Sequence, residues 1–218
     1  WILKDKRAID HAKTIRGWTQ RTPPGFVFAL KMPQEITPER RFRACAALAK
    51  EFFDRARELD DKLGPVLMQL GPDFGPGELP ALAKFLTTLP EDIAFAIEFR
   101  DKGWIHDGVI ALLSEHGVAL ALTDARWIPR KQMLSLAERP TADFVYIRWM
   151  GADRDIADYS RIQIDRSRDL ELWTGVIAHL AGRGRTVYGY VNNHFAGHSP
   201  ASARQFSEML GYPIMPDG

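Results

Sequence analysis

The chain has almost no cysteine: Cys45 stands alone among 218 residues. A lone thiol excludes a disulfide framework and a cysteine-rich zinc site, and it fits a reducing compartment, so a cytoplasmic location is expected. An excess of one charge is lacking as well. Lys and Arg number 29 against 28 Asp and Glu, a formal net charge of +1. That balance gives no overall field for wrapping nucleic acid, which is therefore not the expected partner, although a local basic cleft stays open. No apolar run reaches the roughly 18 residues of a membrane span and no signal peptide is visible, so no membrane role is expected. Phosphate-cradling glycine motifs are missing: there is neither a G-x-G-x-x-G nor a Walker A sequence. The G-x-S-x-G elbow of serine hydrolases is absent too.

What is present is a repeat of apolar runs and amphipathic stretches. Six runs, Phe26–Lys31, Val66–Leu70, Ile93–Arg100, Val118–Asp124, Phe144–Trp149 and Thr186–Asn193, are nearly continuous in apolar, β-branched or aromatic residues. Continuous rather than alternating runs suit parallel strands covered on both faces. Between them, Pro38–Asp61 places Phe42, Cys45, Leu48, Phe52, Ala56 and Leu59 at helical spacing, with Thr37 as N-cap and Pro38 at the first position. Leu79–Leu89, Ile105–His116, Asp169–Ala181 and Ala201–Leu210 read as further helices, the last capped by Ser199 with Pro200 following. Gly117 and Gly182 stand where left-handed C-caps are wanted. Successive strands start 25 to 42 residues apart, enough for a helix in each step, and no linker or composition break marks a boundary. The expectation is an α/β chain with a parallel sheet, either an open doubly wound sheet or, as the missing glycine-rich loop favours, one (β/α) barrel domain of the TIM type over residues 1–218, with six visible strands.

The polar residues are placed with a pattern. Each run ends in one: Lys31, Gln69, Glu98 with Arg100, Asp124, Arg148, and Asn192 with Asn193. In a parallel barrel all these positions meet at the C-terminal mouth, where active sites lie. Taken singly, each has a bland account. Glu98 and Arg100 can pair with each other, Asp124 can cap the turn that follows, and only one of Asn192 and Asn193 can point inward, because strand side chains alternate. Arg148 resists such an account, since a guanidinium at a buried strand end calls for a carboxylate or phosphate partner. His194 and His198 lie in a loop without the adjacent Glu of a zinc-protease helix, so no metal site is expected. Trp104, Trp127 and Trp149 follow strand ends and are either core or a stacking wall for a ring-shaped ligand.

Several segments carry a family resemblance. Phe26-Val-Phe-Ala-Leu-Lys31-Met-Pro, Leu67-Met-Gln69-Leu-Gly-Pro-Asp-Phe74, Glu98-Phe-Arg100 with Trp104, Asp124, Tyr146-Ile-Arg148-Trp-Met-Gly151 and Tyr190-Val-Asn192-Asn193 resemble the YecE-like family, a bacterial domain of unknown function. The resemblance implies a TIM-type barrel and adds Tyr190 to the candidate ligand contacts, but it implies no reaction. Two departures stand out. The two strands that usually open the family are not recognisable, and Trp1–Arg21 reads instead as a helix, so an N-terminally shortened barrel is expected. Its Phe26–Lys31 and Thr186–Asn193 strands would then present bare edges and invite self-association. The family's His after Arg-x is Met150 here, which cannot move protons.

Three functions compete. In the first, a small anionic ligand, phosphosugar- or nucleotide-like, is held by Lys31, Gln69, Arg100, Arg148, Tyr190, Asn192 and Asn193. Glu98 and Asp124 then serve as acid and base in a hydrolase, lyase or isomerase, and no cofactor is implied. The start of the Ser199 helix offers a further anion seat. The second is a metal-dependent repair nuclease, and the third is a binding module without catalysis.

Overall fold

The described strands pair in parallel, and helices separate nearly all of them along the chain. The structure, a computed structural model, describes residues 2–3, 12–151 and 156–212. The chain divides into two compact units, Trp1–Val118 and Ala119–Gly218. In the first unit the order is β1 (Ile2–Leu3), α1 (Ala12–Arg21), β2 (Phe28–Lys31), α2 (Ala46–Ala56), β3 (Leu63–Gln69), α3 (Leu79–Leu86), β4 (Phe95–Glu98) and α4 (Asp107–Glu115), and β1 to β4 lie side by side in chain order. In the second unit it is β5 (Ala119–Leu120), β6 (Leu122–Ala125), α5 (Arg130–Leu136), β7 (Phe144–Gly151), α6 (Ser167–Gly182), β8 (Thr186–Val191), the short α7 (Asn193–Ala196) and α8 (Ser199–Met209). Here β7 lies between β6 and β8, and β8 pairs only with β7 among the described residues. This is the expected α/β class with parallel sheets.

Burial explains the continuous apolar runs. Val66, Leu67, Met68, Ala96 and Ile97 are all fully enclosed, so neighbours on opposite faces of β3 and β4 are buried alike. In the first unit α2 covers one face of the sheet, with Phe53 edge-on to Phe95 at 5.5 Å. In the second, α6 and α8 do so through Trp173 and Phe206, whose rings lie edge-on to Trp149 at 5.8 and 4.7 Å. The C-terminus of α1 is held by Lys62, whose buried Nζ donates to the carbonyls of Thr19 and Thr22, each at 2.7 Å. Among the described residues no helix is long and apolar enough to cross a membrane.

Several expectations are corrected. The helix expected over Pro38–Asp61 starts only at Ala46. Before it, Pro38 lies inside one wide turn, Glu35–Glu39, and Arg41, Phe42 and Ala44 take left-handed backbone angles (φ 49°, 62° and 47°) that no α-helix allows. Thr37 is not a cap; its hydroxyl donates to the Pro33 carbonyl at 3.3 Å. Of the residues expected to face inward, Phe42, Cys45, Phe52, Ala56 and Leu59 are buried, whereas Leu48 is only half-buried. Val118–Asp124 breaks into β5 and β6, and between them the Thr141 hydroxyl takes the Leu120 N–H at 2.7 Å. Gly117 does adopt the left-handed C-cap (φ 60°), but Gly182 remains helical and Gly184 takes that angle instead. Ser199 is the first residue of α8 rather than its cap. Finally, the Trp1–Arg21 segment contains a strand: Ile2 and Leu3 pair with Ala29 and Leu30, so the β2 edge is not bare. Trp1 and residues 4–11 lie outside the described residues.

Candidate functional site

Strand register decides which strand-end residues can act together. In the first unit Lys31 pairs with Leu67, and Gln69 pairs with Glu98. Gln69 lies two residues beyond Leu67, so Lys31, Gln69 and Glu98 share one face, the one turned away from Phe95 and α2. Glu98 is fully enclosed. Its Oε1 accepts from Gln69 Nε2 at 2.9 Å and from Arg100 Nε at 3.3 Å. The expected Glu98–Arg100 pairing therefore exists, with Gln69 as a third member.

The loops that follow these strands are fastened to one another. Arg41 Nε donates to Glu78 Oε1 at 2.7 Å, Nη1 to Asp73 Oδ2 at 2.7 Å, and Nη2 to the Asp73 carbonyl at 2.8 Å. Arg43 reaches the other Glu78 oxygen at 2.5 Å. The Arg43 and Arg41 guanidinium groups hold the Glu78 carboxyl below its ordinary range, and Arg41 does the same to Asp73. Behind this clamp Phe74 stacks on Trp104 at 5.4 Å and Trp104 on Phe99 at 4.7 Å. Trp104 is wholly buried and donates to the Phe74 carbonyl at 2.7 Å, so it is core rather than a ligand-stacking wall. Sequence reading missed Arg41 and Glu78, since nothing local ties residue 41 to residue 78.

In the second unit Thr123 pairs with Arg148, and Arg148 with Tyr190. These three side chains form one row on the face opposite Trp149, α6 and α8. Tyr146 and Tyr188 lie one step back on the same face, and the Tyr146 and Tyr190 rings stack at 4.9 Å. Arg148 is 4% exposed. Burial, with Tyr188 nearby, pushes the Tyr190 phenol far above its ordinary range, so it remains an O–H donor at neutral pH.

Asp124 is elsewhere. It pairs with Trp149, on the helix-covered face, and its Oδ2 accepts from Arg130 Nε and from the Trp173 indole, both at 2.8 Å. Arg130 also pairs with Asp169 at 2.6 Å. The structure thus does not bring Asp124 together with Arg148, and it gives the carboxylate a fastening role between β6, α5 and α6. Trp149 is core as well, buried against Trp173 and Phe206.

Asn192 extends β8 (φ −90°, ψ 148°), whereas Asn193 begins α7. Both amide oxygens serve the backbone: Asn192 Oδ1 accepts from His194 N at 2.9 Å and Asn193 Oδ1 from Ser199 N at 2.8 Å. The latter places an acceptor at the first N–H of α8, where an anion seat was expected. Gly151 lets this corner close. At φ 73° it lies so near the His194 carbonyl and the Phe195 backbone that no Cβ fits. His194 Nε2 lies 3.2 Å from the Tyr159 hydroxyl. No group of three or more His, Cys, Asp or Glu among the described residues is arranged to hold a metal. Two surface grooves, about 690 Å³ beside α2 and α3 and about 450 Å³ between β8, α6 and α8, include none of the strand-end candidates.

The sequence profile described as "Protein of unknown function DUF72" matches residues 8–216. The chain belongs to the DUF72 family. Among its relatives, the UPF0759 protein YecE of Escherichia coli K12 is 29% identical over 206 residues, covering 86% of this chain and 72% of that protein. The UPF0759 protein YunF of Bacillus subtilis is 22% identical over 224 residues, covering 93% of this chain and 79% of its own length. A solved DUF72 structure from Thermotoga maritima overlays with a TM-score of 0.74 at 20% identity, covering 92% of this chain and 79% of that one. One from Enterococcus faecalis does so with 0.78 at 16% identity, covering 100% and 88%. At such identities the solved DUF72 chains establish a shared fold. The DUF72 name carries no reaction, so function has to be argued from the residues.

Proposed function

We propose that the protein binds a small anionic ligand, phosphosugar- or nucleotide-like, at the C-terminal ends of its strands, with Arg148 as the main anion contact. One observation carries this reading: an arginine 4% exposed within the otherwise apolar strand β7, on the face that α6 and α8 do not cover. Burying so costly a group at that position makes sense where a planar fork must recognise an oxyanion. Tyr190, beside it in register, offers a phenol donor and a ring face, and the amide NH₂ of Asn192 follows one step on. In the first unit, taken by itself, the enclosed Glu98 is a candidate acid–base group, with Gln69 and Arg100 on its Oε1 and Lys31 on the same strand face. Strand C-terminal ends are where parallel α/β proteins collect their chemistry. The single, buried Cys45 supports a cytoplasmic setting.

The test is thermal melting of the parent and of Arg148→Met with phosphate, sulfate and a phosphosugar panel at matched ionic strength. A ligand at about 100 times its Kd should stabilise the parent by about 2.7 kcal/mol, and the gain should vanish in the variant. A destabilised variant with no anion effect in either protein would make Arg148 structural and end this reading.

A further inference from the structure

We infer that Thr123 is a ligand contact that makes the Arg148 site select a tetrahedral oxyanion, such as a phosphate monoester, over a planar carboxylate. The inference rests on the anion reading above. Thr123 is fully enclosed, and its Oγ1 has no hydrogen-bond partner. Proteins seldom leave a buried hydroxyl unsatisfied, because the group gives up water and gains nothing; valine would fill the same space without that penalty. Such an orphan marks a place where a partner arrives from outside.

The register says which partner. Thr123 stands beside Arg148, and Tyr190 stands on the other side of Arg148, one row across β6, β7 and β8 on a single face. Adjacent strands lie about 4.8 Å apart, so Thr123 and Tyr190 flank Arg148 one strand spacing away on either side. A guanidinium fork takes two oxygens in its own plane. A carboxylate has only those two and leaves the hydroxyl unanswered. A tetrahedral oxyanion carries a third oxygen out of that plane, and Thr123 Oγ1–H is the donor placed to meet it.

The experiment compares the parent, Thr123→Val, Thr123→Ser and Arg148→Met. Melting without added anion comes first: Thr123→Val should melt at or above the parent temperature, because it removes an unpaired hydroxyl while keeping the shape. Calorimetric titration with inorganic phosphate and with acetate follows. Thr123→Val should weaken phosphate about tenfold and leave acetate unchanged, and Thr123→Ser should bind phosphate like the parent. A Thr123→Val variant that melts below the parent, or that binds phosphate equally well, overturns the inference. In the second case loss of phosphate binding in Arg148→Met leaves the anion reading standing. A parent that binds neither anion ends both.

Discussion

The indole N–H of Trp173 on α6 and the Nε–H of Arg130 on α5 both donate to one oxygen, Asp124 Oδ2, each at 2.8 Å. This convergence fastens two helices to the end of β6 and accounts for a carboxylate only 6% exposed. Removing the indole donor in Trp173→Phe should cost about 1–3 kcal/mol, since Arg130 still meets the oxygen. Removing the carboxylate in Asp124→Ala should cost about 3–5 kcal/mol. Urea denaturation midpoints check both values. The anion response should survive in each variant that folds, which separates a fastening group from a catalytic one.

Gly189 on β8 leaves room for the Trp149 indole: a Cβ there would stand 2.8 Å from Cζ3 and 3.0 Å from Cη2. The ring cannot retreat, because Trp173 and Phe206 hold it edge-on from the helices. Gly189→Ala should therefore lose about 1–3 kcal/mol through overpacking, whereas alanine's strand and chain-entropy terms alone would be mildly stabilising. A melting temperature equal to the parent's would show that the indole can shift.

The Arg41 clamp predicts a pH dependence. The Glu78 carboxyl is held below its ordinary value of 4.5 by Arg43 and then Arg41, and Asp73 below 3.8 chiefly by Arg41. A carboxyl depressed in the folded state adds stability above its unfolded value, and that stability is lost as pH falls through the folded value. The parent should therefore outlast Arg41→Met at about pH 6, and the gap should close towards about pH 3. Melts across that range decide the matter, and a gap that stays constant in acid would remove the ion pairs from the explanation.

Lys62 predicts a local effect. Its Nζ meets the Thr19 and Thr22 carbonyls at 2.7 Å and the Thr22 hydroxyl at 3.0 Å. Lys62→Met leaves those acceptors unmet and should cost about 1–3 kcal/mol. Hydrogen exchange should quicken in α1 and stay unchanged in β3. Uniform acceleration would mean that the lysine supports the whole unit instead.

The strands and their parallel sense were legible because continuous apolar runs are the direct trace of a sheet buried on both faces. The same property hid the site. With Thr123 and Asp124 both enclosed, no alternation of polar and apolar residues told which of the two shares a face with Arg148; only the pairing Thr123↔Arg148 does so. The helix expected from Pro38 failed for a different reason. Arg41, Phe42 and Ala44 are held in left-handed angles beside an Arg41 clamp whose partners, Asp73 and Glu78, lie more than thirty residues away. Glu98 with Arg100 was readable because the two lie only two residues apart in the chain. Gln69 joined them only through the register.

Parallel pairing also sets the order of assembly. All of α6 lies between Phe144 and its partner Thr186 along the chain, and all of α2 between Phe28 and its partner Leu63. No hairpin can seed either pair, so each closes a long loop before any backbone bond across it forms. Folding should be slow for a chain of this size and held by late, long-range contacts. A nascent chain can pair β7 with β6 but will leave the other edge of β7 open until residues 186–191 have left the ribosome.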